Sequence, residues 1–164
     1  MKRNNRIAHT LHSPESGFTI IELMIAMILV AILIAMAIPS FNSWRENIEY
    51  RDATNDVFSK LRDAKGRAIE TNRQYRFEVM TATKQYQVLQ GNRAHNSTVW
   101  NAISTPTTLK PSVYLGGAVN ATVDFNPNGA ASEDFSLDIK DVSGANRYVV
   151  NVEQTGRIRT DKGK

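Results

Sequence analysis

Arg157 and Arg159 stand one residue apart in the closing stretch Gln154-Thr155-Gly156-Arg157-Ile158-Arg159-Thr160-Asp161-Lys162-Gly163-Lys164. In an extended backbone, alternate side chains fall on one side, about 6.5–7 Å apart. Two guanidinium forks at that interval can each grip a pair of phosphate oxygens. Lys162 and Lys164 add positive charge further along, and Gly156 lets the backbone turn or approach a ligand closely. A second chemical oddity sits near the other end. From Phe18 to Ile38 there are 21 residues, and only Thr19 and Glu22 among them are polar. A carboxylate in hydrocarbon costs about 2.5–3.5 kcal/mol on insertion scales, so Glu22 calls for a functional reason.

Other chemistries find no residues to carry them. The chain has no cysteine and three histidines, of which His9 and His12 precede the apolar run and His95 is isolated. Neither a zinc site nor a histidine-based triad can be built from these. Asp124, Glu133, Asp134, Asp138 and Asp141 fit no calcium-loop spacing, and they read as solvated strand and turn positions. No Gly-rich phosphate loop, nucleophile elbow or His-Glu-x-x-His helix occurs. The expectation is a protein without enzymatic activity and without a cofactor. The net charge of +4 is too mild to argue nucleic-acid binding from bulk charge alone.

The elements that position these groups follow from periodicity. At about 1.5 Å per residue the run from Phe18 to Ile38 spans roughly 30 Å, a hydrocarbon core's thickness. Lys2, Arg3 and Arg6 against Glu15 give residues 1–17 a net +2, which favours a cytoplasmic N-terminus. A secretory signal would carry its small-residue cut after a shorter apolar stretch. Here Gly17 lies before the run, and Ala35-Met36-Ala37 is followed at once by Ile38-Pro39. Ser40 to Ser43 is a polar interruption, and Trp44 suits a membrane interface. Ile48, Val57, Leu61, Ala64 and Ala68, widened by Phe58 and Ile69, predict a second, amphipathic helical stretch over Arg45–Thr71. Gly66 weakens it by up to about 1 kcal/mol relative to alanine, and Asn72 is its stop.

Beyond residue 72 the period becomes two. Tyr75, Phe77 and Val79 alternate with polar residues, as do Tyr86 and Val88, around a turn at Thr81-Ala82-Thr83-Lys84. Residues 91–112 suggest a long loop, or a poor strand near Val99–Ile103. Further strands are predicted at Val113–Leu115, Thr122–Phe125, Phe135–Ile139 and Tyr148–Val152. Asn126-Pro127-Asn128-Gly129 and Ser143-Gly144-Ala145 supply turns between them. The class is α+β, a long N-terminal helix followed by about six or seven antiparallel strands.

Gly17-Phe18-Thr19-Ile20-Ile21-Glu22 resembles the prepilin signature of type IV pilins and type II secretion pseudopilins. The resemblance implies a cut by prepilin peptidase after Gly17 and methylation of the new N-terminal Phe18. It implies that Glu22 pairs with a neighbouring subunit's N-terminus during assembly, and that Pro39 is the family's helix-kinking proline. Physically, an amino group on Phe18 and the Glu22 carboxylate are each costly in a low dielectric and much less so together. A four-residue spacing permits the pair within one chain, and it can equally form between chains.

The implied fold is the pilin fold, a helix with a transmembrane half and an amphipathic half, packed on an antiparallel sheet domain. The implied organisation is a cleaved leader over 1–17, an assembly helix over 18–43, and a periplasmic domain over 44–164 with a basic tail at 154–164. The stretch Leu61 to Ile69 and the segment Phe125-Asn126-Pro127-Asn128-Gly129 resemble the GspH/FimT branch of minor pilins. Gly156-Arg157-Ile158-Arg159 is similar to the Gly-Arg-x-Arg tail of FimT proteins, which bind DNA during natural transformation. That similarity implies sequence-independent, phosphate-directed DNA binding through Gly156, Arg157 and Arg159, with Lys162 and Lys164 adding reach. The expected partners are other pilins, the peptidase, DNA, and the inner membrane before assembly. The expected location is the inner membrane, then the pilus and cell surface. The alternative is a structural minor pilin or GspH-type pseudopilin of a type II secretion system, without DNA.

Overall fold

Thr19 starts the principal helix, α1 (Ile20–Thr71), in the computed structural model, which describes residues 17–117 and 121–163, with backbone alone at 37–40. The predicted leader, apart from Gly17, and Lys164 lie outside the described residues. The Glu22 amide donates to Thr19 Oγ1 at 3.3 Å, and the Leu23 amide to Thr19 O at 3.1 Å. Thr19 is thus the N-cap, and Thr19-Ile20-Ile21-Glu22 has the spacing of a capping box, with an acid in the first turn. Because the helix begins at Ile20, Phe18 lies before it, and the four-residue helical spacing to Glu22 does not apply within this chain. The helix runs without a break through the polar Ser40–Ser43, so its apolar and amphipathic halves are one element as expected, and Pro39 falls inside it.

Contacts divide the chain into two units, one up to Phe41 and one from Asn42 onward. In the first, every described side chain of Phe18–Met36 is exposed, and the apolar window is long enough to cross a membrane. The second unit holds the core. Val57, Leu61, Ala64 and Ala68 are completely buried, at steps of four, three and four. Tyr50 and Ala53 extend this spine toward the N-terminus. Ile48, expected on the stripe, is partly exposed, because nine residues before Val57 amount to about two and a half turns. Ile69 is likewise exposed, while Asn72 ends the helix in a left-handed conformation at φ 52°.

The helix packs on two antiparallel sheets. The first contains β1 (Tyr75–Met80), β2 (Gln85–Gly91), β3 (Trp100–Ala102), β4 (Thr107–Thr108) and β6 (Ala121–Phe125). Its order is β3-β2-β1-β6, with β4 also on β2. The second contains β5 (Tyr114–Leu115), β7 (Phe135–Lys140), β8 (Asn146–Val152) and β9 (Ile158–Lys162), in the order β5-β7-β8-β9. The hairpin turn at Thr81–Thr83 closes with Lys84 at φ 53°, as expected. Alternation puts Tyr75, Phe77 and Val79 inward, where Phe77 stacks on Tyr86 at 5.5 Å and meets Phe135 edge-on at 6.3 Å. The Tyr86 hydroxyl donates to the Asp56 carboxylate, which gives this buried phenol its partner.

Two expectations are corrected. The described residues hold nine strands rather than six or seven: β3 falls on the poor strand expected near Val99–Ile103, and β4 and β9 are additional. The C-terminal stretch is no free tail, since β9 pairs with β8 along its whole length, from Val152 opposite Ile158 to Tyr148 opposite Lys162.

One turn carries a titratable lock. Asp141 accepts from Ser143 Oγ at 2.5 Å, from the Ser143 and Ala145 amides at 2.8 and 3.0 Å, and from Arg147 Nε at 2.9 Å. The Ser143 hydroxyl leads these donors in holding its carboxyl down at about 2. A folded value below the ordinary one stabilises the fold above the ordinary value, and that contribution fades as pH falls through about 2. Asp141→Asn is therefore expected to lower the melting temperature at pH 7. The gap to the parent should close as the pH drops from about 4 toward 2. Thermal melts across pH check it, and a gap independent of pH would contradict the assignment.

Candidate nucleic-acid interface

Gly156 ends a tight connection between β8 and β9. Its amide donates to Glu153 O at 2.7 Å, and the Glu153 amide to Arg157 O at 2.9 Å. Gly156 has φ 76°. These bonds describe a three-residue hairpin loop, a turn followed by a left-handed glycine. The Ala131 amide donates to Gln154 O at 3.0 Å, and Lys65 Nζ to Gly156 O at 3.0 Å. A Cβ on Gly156 would stand 1.8 Å from Gly129 O. The glycine of the Gly-Arg-x-Arg motif therefore serves the packing of two loops against α1.

The arginines that follow differ in circumstance. Arg157 is exposed, lies before the strand begins, and has no acid partner among the described residues. Arg159 is on the strand opposite Asn151, and its guanidinium is ion-paired with Glu153. That pair answers part of its charge and orients it toward the turn. Lys162 is exposed at the far end of β9, five residues or roughly 16 Å from Arg157. It lines a separate groove with Asn47, Arg147 and Gly163. The described tail cations thus do not form one continuous patch. Arg73 and Arg76 have partners of their own. Arg76 grips Asp124 with two bonds of 2.6 and 2.9 Å beneath Trp100, and Arg73 reaches Asn92 O at 3.4 Å.

Two further cations share a site with Arg157. A groove of about 420 Å³ lies between α1 and the β8–β9 turn, with Arg62 and Lys65 on one wall and Arg157 and Ile158 on the other. Sequence reasoning passed over Arg62 and Lys65. Their three-residue spacing on α1 puts them on one face, but only the fold shows that Gly156 and Arg157 come up beside that face.

A long N-terminal helix on antiparallel sheets, entered through a Gly-Phe-Thr-x-x-Glu start, defines a pilin-class protein. Residues 12–38 match the family described as the prokaryotic N-terminal methylation motif. Residues 53–156 match the family described as type II transport protein GspH. The chain belongs to the GspH family, as a minor pilin or pseudopilin. Among solved structures it is similar to the minor pseudopilin EpsH of the Vibrio cholerae type 2 secretion system, with a TM-score of 0.58 and 15% identity. That match covers 70% of this chain and 96% of EpsH. It is also similar to the type IV minor pilin FimU of Pseudomonas aeruginosa, with a TM-score of 0.55 and 15% identity over 71% of this chain and 90% of FimU. A search of curated proteins finds no significant match.

Proposed function

We propose that this chain is a minor pilin that enters a filament through its apolar helix and binds DNA through its basic C-terminal segment, residues 154–164. Residues 1–17 stay cytoplasmic and are cut away by prepilin peptidase, which leaves Phe18 as the methylated N-terminus. The domain from residue 44 onward lies in the periplasm until the filament carries it outward. Contact with DNA is phosphate-directed and independent of sequence, as expected of arginine forks without base-reading elements. The observation that supports this reading is Arg157, an exposed arginine with no acid partner among the described residues, on a turn that four backbone and lysine hydrogen bonds hold rigid. Binding from one copy is weak, and several copies in a filament supply retention by avidity.

Electrophoretic shift or anisotropy of labelled DNA across a salt series tests this directly. Arg157→Ala with Arg159→Ala is expected to weaken binding at least about tenfold, and to flatten the log–log salt slope by about one to two. Unchanged affinity in the double variant sinks the DNA assignment.

A second reading has its own support. Arg159 is partly neutralised by Glu153, and the similarity to EpsH is at least as high as that to FimU. A purely structural pseudopilin of a secretion filament fits both facts. Deletion separates the two: lost transformation with intact secretion supports DNA uptake, and the reverse supports the secretion role.

A further inference from the structure

We infer that a bound phosphodiester backbone lies in the groove between α1 and the β8–β9 turn, held by Arg62 and Lys65 together with Arg157, and not along β9 through Arg159. This rests on the DNA-binding reading and assigns that reading a different set of residues.

Availability of charge makes the choice. Arg159 already holds the Glu153 carboxylate and Arg76 holds Asp124, so each would have to break an ion pair to take a phosphate. Arg62 is exposed, with no acid partner among the described residues. Its guanidinium lies over the Phe58 ring at 5.7 Å from the centroid, a contact that limits its rotamers without using its donors. Lys65 spends one N–H on Gly156 O and keeps two more for an anion. Asp63, beside Arg62 in the sequence, is already bound to Arg67 at 2.8 Å.

The shape agrees with the charge. Phe58, Arg62, Lys65 and Ile69 follow one another on α1 at steps of four, three and four, which makes a single continuous wall. Gly66 leaves the floor clear, since a Cβ there would meet nothing within 4 Å. A volume of about 420 Å³ is within the range that holds a drug-sized ligand, hence one nucleotide unit, and far too small to admit a duplex. A single strand can enter the groove, whereas a duplex lays one row of phosphates along its rim. Both present the same phosphodiester chemistry.

The test uses the full chain in a non-ionic detergent, with fluorescence anisotropy on an oligothymidylate and on a duplex of equal length, each across salt. Arg62→Ala is expected to weaken binding about three- to tenfold, and to lower the salt slope by about 0.7 for the single strand or 0.9 for the duplex. Arg159→Ala is expected to change affinity less than about twofold. Loss in either arm supports the groove, and the arm with the greater loss identifies the form bound. Unchanged binding in Arg62→Ala, with loss confined to Arg157→Ala and Arg159→Ala, overturns the groove and leaves DNA binding standing. A parent chain that binds neither oligonucleotide overturns both.

Discussion

Alanine at Gly156 is expected to cost the domain about 3 kcal/mol or more, and to reduce nucleic-acid binding although no charge is removed. The left-handed conformation at φ 76° alone costs a non-glycine residue about 1–2 kcal/mol. The added Cβ would also sit 1.8 Å from Gly129 O, a backbone atom with no rotamer to change. Relief requires the two loops to part. That movement strains the bonds from Ala131 to Gln154 O and from Lys65 to Gly156 O, at about 1 kcal/mol each. Gly144 is the internal control. It has φ 85°, but a Cβ there would meet nothing within 4 Å, so Gly144→Ala should show only the conformational part. Urea unfolding of the two variants beside the parent gives the comparison. Equal losses would mean that the loop contact at Gly129 contributes nothing.

That contrast also shows which parts of the molecule the sequence could disclose. The spine Val57, Leu61, Ala64 and Ala68 repeats with the helix period, and Tyr75, Phe77 and Val79 with the strand period, so both were legible. Each is a one-faced element, and burial forces the pattern. Strand β9 hid because it is an edge strand in which only Ile158 is half-buried, and Arg159 to Lys162 are all exposed. Without an apolar face there is no alternation to read, and a charged edge is what keeps such a strand from pairing with other chains.

The candidate site was half legible for a related reason. Gly156-Arg157-Ile158-Arg159 is a local pattern, and its residues could be named from the chain alone. Which of them stay free of an acid depends on how the hairpin and α1 come together. Glu153 reaches Arg159 across the hairpin, and Lys65 comes to Gly156 from 91 residues away. The sequence treats the two arginines as equivalent forks on one side of a strand. The fold places one before the strand and ties the other to an acid.

Glu22→Gln is expected to leave the chain in the membrane yet lower its entry into filaments by about two orders of magnitude or more. Two roles compete for this carboxylate. Thr19 caps α1, and Glu22 stands at the third helical position, where glutamate or glutamine can complete a capping box. If capping were its purpose, glutamine would serve nearly as well, at a loss of about 0.3–1 kcal/mol from the helix dipole. If its purpose is to meet a neighbouring subunit's amino terminus in an apolar bundle, glutamine leaves that ammonium buried and unpaired. Breaking such a pair costs about 3–5 kcal/mol, which is a hundredfold or more in assembly. Thr19→Ala is the matching variant, because it removes the cap, worth about 0.5–2 kcal/mol, and keeps the charge. The ratio of sheared-filament to membrane-retained protein by immunoblot separates the two roles. A ratio that falls in Glu22→Gln and holds in Thr19→Ala assigns the carboxylate to assembly. Equal falls would assign it to the helix start, and the charge pair would then have no part in building the filament.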